Sequence, residues 1–316
     1  MDLFYNELKN FGKVRANEPM SKHTTYKIGG STKYFVEVGK MQNFVDLLKF
    51  LEGSGKDYFI LGGGSNILVS DEGYDGVVVK VKVCEINVDG NLLTASAGCA
   101  TVDVARKSME VGLTGFEWGV GIPGTIGGAV RGNAGAMGGE VKDFVKEVEI
   151  YKDGEVIKIT NKESGFGYRD SRFKTSNEVV LKVVLELEKG EAKEGMKQAI
   201  KNIQQRNLSQ PQGFSSSGCI FKNYEIKNEE EKEELKKKGV LQEFLDKNLV
   251  PVGWLVESLG IKGLKSGNAQ ISEKHCNFIL NLGGATASDI LVLIEKIKAG
   301  VYDKYSINIE EEIRIL

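Results

Sequence analysis

The sequence predicts an α+β protein, and three observations lead there. Short β-rich runs are interspersed with helical periodicities along the whole chain. Of 39 glycines in 316 residues, 20 fall between positions 53 and 139, so this quarter of the chain turns tightly or lies close to a ligand. With 41% hydrophobic residues the chain can bury a sizeable core, and its length suits two domains or three small ones.

The elements follow in order. In residues 1–80, YFVEV (34–38) alternates like a strand and MQNFVDLLKFLE (41–52) has helical spacing. YFIL (58–61), ILV (67–69) and VVVK (77–80) are short β-rich runs. In residues 81–200, strands are predicted at LLTASA (92–97), VKEVEIY (145–151), GEVIKIT (154–160) and VVLKVVLELE (179–188), around a helix at VDVARKSMEV (102–111). A helix over 191–207 leads into the region 201–316, which continues through PVGWLVESLG, an amphipathic helix over 287–305 and the strand-like SINIEEEIRIL. The run EIKNEEEKEELKKKG (225–239) alternates its signs at helical spacing, which favours a solvated surface helix over an interaction tail.

Composition excludes several function classes. Net charge is −2, from 42 Lys+Arg against 44 Asp+Glu, so there is no global electrostatic case for nucleic acid or an anionic membrane. The N-terminal residues show no signal-peptide apolar core, and no apolar run approaches the roughly 20 residues of a membrane span. Cys84, Cys99, Cys219 and Cys276 form no CxxC spacing, and with only His23 and His275 the chain offers no donor set for a dedicated metal site. The chain therefore reads as cytoplasmic, with reduced thiols and no metal.

Two glycine motifs carry the first chemical signal. In Gly62-Gly63-Gly64-Ser65-Asn66, consecutive glycines let backbone N–H groups converge on phosphate oxygens, and Ser65 and Asn66 add side-chain donors. A hairpin turn would explain one or two of these glycines. No GK[ST] follows, and the next residues are strand-like, so the motif is neither a Walker loop nor a Rossmann fingerprint. The second motif, GVGIPGTIGGAVRGNAGAMGGE (119–140), places Gly121, Pro123, Gly124, Thr125 and Gly128, then Asn133 and Gly135, where small residues permit close approach to a planar or diphosphate ligand. Eleven glycines in the 28 residues 112–139 exceed ordinary packing needs, and two separated loops suit a dinucleotide.

These segments resemble the two-part FAD-binding domain, of PCMH type, of the vanillyl-alcohol oxidase superfamily. Within it, HTTYKIGG (23–30), FGYRDSRFK (166–174), SGCIFKN (217–223), GWLVESLGIKGLKSGNAQISEKHCNFILN (253–281) and INIEEEIRI (307–315) make the chain similar to the UDP-N-acetylenolpyruvoylglucosamine reductases. The resemblance implies FAD-binding subdomains over 1–80 and 81–200 and a substrate-binding α+β domain over 201–316. It also implies noncovalent FAD, NADPH as hydride donor, and reduction of an enolpyruvyl double bond in peptidoglycan synthesis. No nucleic acid, membrane insertion or obligate protein partner is expected.

The reaction dictates the residues. Charge develops on the substrate carboxylate and must be stabilised, and the reduced carbon must be protonated. Arg169 matches the family's catalytic arginine, whose guanidinium can grip a carboxylate by two bonds, although a surface Arg pairing Asp170 is the default for any single arginine. Glu312 aligns with the family's C-terminal glutamate, and Arg314 falls beside it. Cys219 stands where the family usually has serine as proton donor; a thiol, with a reference pKa of about 8.5, is the easier acid. Lys222 and Asn223 match contacts to the UDP-sugar, and Tyr168 is a substrate or flavin contact. Tyr224 and Glu311 replace prolines that are usual in the family, and His275 is expected to be structural. The competing readings are another FAD oxidoreductase acting on an alcohol or hydroxy acid, and a flavin-binding regulator.

Overall fold

The computed structural model describes residues 2–316 and divides the chain into two compact units. The first comprises Met1–Glu18, Ser31–Gly64 and Tyr74–Leu208; the second gathers Pro19–Gly30, Ser65–Gly73 and Ser209–Leu316. Two short N-terminal segments therefore belong with the C-terminal residues, and the Gly-rich 62–66 run is split between Gly64 and Ser65. No helix among the described residues is long and apolar enough to cross a membrane.

The first unit holds two sheets. In the four-stranded sheet the order is Lys13–Pro19, Ser31–Val38, Tyr74–Val81, Tyr58–Leu61. Phe35 and Phe59 both lie opposite Val78 in parallel register. Parallel neighbours need a crossover, and the helix Met41–Ser54 supplies it, burying Phe44, Val45, Leu47, Leu48 and Leu51. It stops at Gly55, which takes the left-handed conformation at φ 65°.

The second sheet is antiparallel, in the order Glu155–Thr160, Val145–Lys152, Val179–Glu186, Leu92–Ser96, Ile86–Asp89. Val148, Ile150, Val183 and Leu185 enter its core with Val104 and Ala105 of the helix Thr101–Glu110. Tyr151, Val179 and Leu181 pack instead with the core of the four-stranded sheet, and the Tyr151 hydroxyl donates to Glu52 at 2.6 Å.

The second unit is built around the helix Ala287–Tyr305, which buries Ile290, Leu293, Ile294, Ile297 and Val301. Each such side chain contributes about 1.5–3 kcal/mol when fully buried. Tyr26, Ile28 and Leu68 join this core from the N-terminal segments, beside Val256, Ile271 and Ile279. The Asp71 carboxylate accepts the Ala287 and Ser288 amides at 2.7 and 3.0 Å, while Thr286 accepts the Asp289 amide at 3.1 Å. The first three amides of the helix are thereby satisfied.

Several expectations change. The second glycine motif is not one open loop: Ile126–Arg131 forms a helical turn and a half, with Thr125 as its N-cap. Of SINIEEEIRIL only Arg314–Ile315 is a strand, because its partner Ile67–Leu68 is two residues long. The expectation of reduced thiols fails at Cys84 and Cys99, which are joined in a disulfide with Cα atoms 4.4 Å apart. Fifteen residues separate them in sequence, but Ser96 N donates to Glu85 O and Gly98 N to Val83 O, so the two segments run side by side. The charge-dense run does form a surface helix, Glu229–Lys237, laced by Lys232–Glu229, Lys236–Glu233 and Lys237–Glu234 pairs.

Candidate active site

In the first unit the strand Tyr58–Leu61 delivers Gly62 and Gly63 against the second glycine motif. A Cβ at Gly63 would collide with the backbone of Gly124, and one at Gly62 would meet the Thr125 hydroxyl. A side chain at Gly63 is therefore excluded by backbone, and one at Gly62 by the Thr125 hydroxyl. Thr101 N donates to Gly124 O and Ile126 N to Cys99 O, which fixes the second motif from beneath. Gly121 and Gly128 remain accessible, and Pro123 is exposed. Lys80 donates its ammonium to the Gly62 carbonyl. Burial, with help from neighbouring Lys82 and against the pull of Glu37, pushes the Lys80 pKa down to about 8.

The same unit sets Arg169. Asn133 is buried at φ 41°; its Nδ2 donates to Gly167 O at 2.7 Å and to Glu140 at 3.2 Å, while its Oδ1 accepts the Lys142 amide at 3.0 Å. The Gly167 bond thus ties the glycine motif to the residue before the YRDSR segment. Arg169 itself sits at φ 50°, a conformation that costs a non-glycine residue about 1–2 kcal/mol. Its Nη2 donates to Gly135 O at 2.8 Å and Nη1 lies 3.8 Å from Glu140. The Tyr168 ring centroid is 5.2 Å from its Cζ. Asp170, its neighbour in sequence, accepts from the Ser171 amide at 2.9 Å. The guanidinium is held in a fixed orientation by its surroundings.

In the second unit, Cys219 follows Gly218, which has φ 82°, and is half-buried. The next residues are pinned on one side by Asn277: Ile220 N donates to its carbonyl at 2.8 Å and Phe221 N to its Oδ1 at 3.0 Å. On the other side Glu312 N donates to Ile220 O at 2.7 Å and Lys222 N to Glu310 O at 3.0 Å. Cys219, Lys222 and Glu312 are brought together by this lacing. The Lys222 ammonium lies 3.2 Å from the exposed Glu310 carboxylate, a surface pair worth little energetically. Asn223 turns its Oδ1 to the Val252 amide at 3.3 Å. Asn66 of the first motif donates to Glu312 O at 3.1 Å, and Arg314 N donates to Asn66 O at 3.1 Å. His275 is half-buried, and this desolvation lowers its pKa; its Nδ1 accepts the Asn277 amide at 3.3 Å.

Sequence reasoning missed three of these residues. Glu140 ends the second motif and could have been read as a partner for a nearby arginine. Asp71 follows the first motif, but its role depends on a helix 216 residues further on. Lys80 carries no signal beyond being the one cation in the strand Tyr74–Val81. No group of three or more His, Cys, Asp or Glu among the described residues is arranged to hold a metal ion.

Comparison with known proteins agrees with this division of labour. A sequence model described as "FAD binding domain" matches residues 32–160, which contain the contact between Gly62–Gly63 and Gly124–Thr125. Gly62 and Gly63 pack on Gly124 and Thr125 there, while Pro123 and Gly128 beside them are exposed, which leaves accessible main chain of the kind a diphosphate-bearing cofactor needs. A second, "UDP-N-acetylenolpyruvoylglucosamine reductase, C-terminal domain", matches 210–316, which contain Cys219 and Glu312. The UDP-N-acetylenolpyruvoylglucosamine reductase of Carboxydothermus hydrogenoformans is 37% identical over 96% of this chain and 94% of its own. That of Bacillus licheniformis is 38% identical over 100% and 99%. The crystal structure of the Thermus caldophilus UDP-N-acetylenolpyruvylglucosamine reductase superposes with a TM-score of 0.76 at 29% identity, covering 96% of this chain and 99% of its own. Matched from end to end, in both units, the chain belongs to the UDP-N-acetylenolpyruvoylglucosamine reductase family.

Proposed function

We infer that the chain reduces the enolpyruvyl group of UDP-N-acetylenolpyruvoylglucosamine to give UDP-N-acetylmuramate for peptidoglycan, in the cytoplasm, with noncovalent FAD and NADPH. The observation that supports it best is the lacing of Cys219–Lys222 onto Glu310–Ile313 within the residues that match the reductase C-terminal domain. FAD held at the glycine motifs would supply the hydride chemistry of the reaction.

The protein supplies binding, orientation and a proton. Gly62, Gly63, Gly64, Ser65 and Asn66, with Gly121, Pro123, Gly124, Thr125, Gly128, Asn133 and Gly135, are the residues assigned to the cofactor. Arg169 meets the substrate carboxylate, and its attraction strengthens as negative charge builds there. Its bond to Gly135 O and the nearby Glu140 carboxylate set the direction of the fork. Glu312 polarises the carboxylate or holds Arg169. The Cys219 thiol gives its proton to the carbon next to the carboxylate, completing addition of hydride and proton across the double bond. Lys222, Asn223 and Tyr168 are assigned to the UDP-sugar; the Lys222 pair with Glu310 is weak enough to exchange for a phosphate.

The test is anaerobic. Enzyme reduced with one equivalent of NADPH, watched at the flavin absorbance band, should stay bleached until UDP-N-acetylenolpyruvoylglucosamine is added and then recover its colour. Recovery with oxygen but not with this substrate would favour an alcohol or hydroxy-acid oxidase. Failure to bleach with NADPH would favour a flavin-binding regulator. Acid precipitation should release all the yellow colour into the supernatant, as noncovalent attachment requires.

A further inference from the structure

We propose that Lys174 is a positioning residue for Arg169, its ammonium fixing the peptide from which the guanidinium is aimed. The inference rests on the reading of Arg169 given above. Gly167 N donates to Asp170 O at 3.0 Å and Asp170 N to Gly167 O at 3.2 Å, so Tyr168 and Arg169 are the two central residues of a closed turn. Arg169 is the second of them, at φ 50°, and a positive φ at that position is usually left to glycine or asparagine. An arginine stays there only where its surroundings hold it. The peptide that follows Arg169 is held at both ends. Its N–H is the Asp170 amide on Gly167 O; its C=O accepts the Lys174 ammonium. Fixing this planar unit fixes ψ of Arg169, and with it the direction in which the side chain leaves the turn.

Lys174 springs from a stiff support. It closes the short helical turn Arg172–Lys174, whose Phe173 is 2% exposed and whose Arg172 meets the buried Glu178 carboxylate at 2.8 Å. The Lys174 carbonyl accepts Arg131 Nη2 at 3.4 Å, and Ser171 Oγ donates to Arg131 O at 2.6 Å, which ties this support to the helix Ile126–Arg131. A charged donor makes the stronger bond to a carbonyl. Lys174 thus acts on the Arg169 backbone, while Gly135 O and Glu140 direct the guanidinium at the far end of the side chain. Because the pull of Arg169 on the substrate carboxylate grows as charge develops, the influence of Lys174 falls on the limiting rate more than on substrate binding.

The experiment follows reoxidation of the NADPH-reduced holoenzyme by UDP-N-acetylenolpyruvoylglucosamine, at saturating FAD, in Lys174→Met, Lys174→Arg, Arg169→Ala and the double variant Lys174→Met with Arg169→Ala. Lys174→Met should lower the limiting rate about tenfold, the scale of one hydrogen bond from a charged donor, with a much smaller change in the half-saturating substrate concentration. Lys174→Arg, which keeps a charged donor, should restore most of the rate. On the Arg169→Ala background Lys174→Met should slow nothing further, since the lysine acts through Arg169. Hydrogen exchange of the Lys174→Met apoprotein should quicken at the Asp170 amide, a readout independent of activity. An equal loss on the Arg169→Ala background would show that Lys174 acts on the substrate or on the fold at large, and overturns the proposal. So does a normal rate in Lys174→Met beside a slow Arg169→Ala, or an Asp170 amide that exchanges as in wild type. If Arg169→Ala itself reoxidises at the wild-type rate, the reading of Arg169 fails and the proposal falls with it.

Discussion

Gly63 lies so close to Gly124 that a Cβ at position 63 would be driven into the Gly124 Cα, with backbone on both sides and no flexible side chain to yield. Gly63→Ala should therefore part the two motifs rather than unfold either sheet, since the sheet cores lie elsewhere. FAD affinity of the apoprotein, titrated by flavin fluorescence, should weaken at least about tenfold. Gly53, in the helix Met41–Ser54 with nothing within 4 Å of its added Cβ, is the matched control. Gly53→Ala should raise stability by up to about 1 kcal/mol and leave FAD affinity alone. Equal FAD affinity in Gly63→Ala and wild type would contradict the cradle.

Cys219 can be tested by chemistry and by oxidation. Cys219→Ser should keep substantial turnover, because a hydroxyl can occupy the same place. Cys219→Ala should slow substrate-driven reoxidation by about 10²–10⁴-fold while NADPH still bleaches the flavin. Cys84 and Cys99 are joined and Cys276 is buried, so Cys219 is the half-exposed thiol that peroxide meets. Peroxide should inactivate the wild type and spare Cys219→Ser. Normal reoxidation by Cys219→Ala would remove this residue from the proton-transfer step.

How much of this was legible beforehand can be judged element by element. Tyr58–Leu61 and Met41–Ser54 could be read because alternation and the 3.6-residue period are local properties. The motifs single out Arg169, Cys219 and Glu312, but not the residues the fold places beside them. Glu140 faces Arg169, and Ile220 O receives Glu312 N, through contacts that only the fold creates. The helix at Ile126–Arg131 was hidden because Gly127 and Gly128 have poor helix propensity, which Thr125 capping and burial of Ile126 and Val130 override. The Cys84–Cys99 disulfide was hidden because it follows from the pairing of two segments, not from any spacing.

Lys80 makes a pH prediction. Its pKa is lowered to about 8, chiefly by burial, while the unfolded chain keeps the ordinary value near 10.4. Below pH 8 both states hold the proton and stability does not vary through this group. Between about pH 8 and 10.4 the unfolded state binds more protons, so stability rises with pH across that window. Lys80→Met, which keeps the buried stem and removes the charge, should flatten this rise in urea melts. It should also free the Gly62 carbonyl and weaken FAD binding, with partial recovery in Lys80→Arg. A rise of unchanged slope in Lys80→Met would assign the titration to another group.

Asp71 should matter to stability alone. Burial pushes its carboxyl up, but the Ala287 and Ser288 amides and the Ser288 hydroxyl outweigh this and hold its pKa below the usual carboxylate value. Asp71→Ala leaves two helix amides of Ala287–Tyr305 without their acceptor and should cost about 1–2 kcal/mol at pH 7. A depressed native pKa means that the carboxylate's contribution is complete above the unfolded value near 3.9 and is lost as pH falls through the native one. The gap between Asp71→Ala and wild type should therefore be constant from pH 5 to 8 and narrow below about pH 4. Asp71→Asn keeps one acceptor oxygen and should fall between them. Urea melts with unchanged m-values would show that the loss is in the native state. A gap that stayed the same down to pH 2 would show that the ionised form adds nothing to the cap.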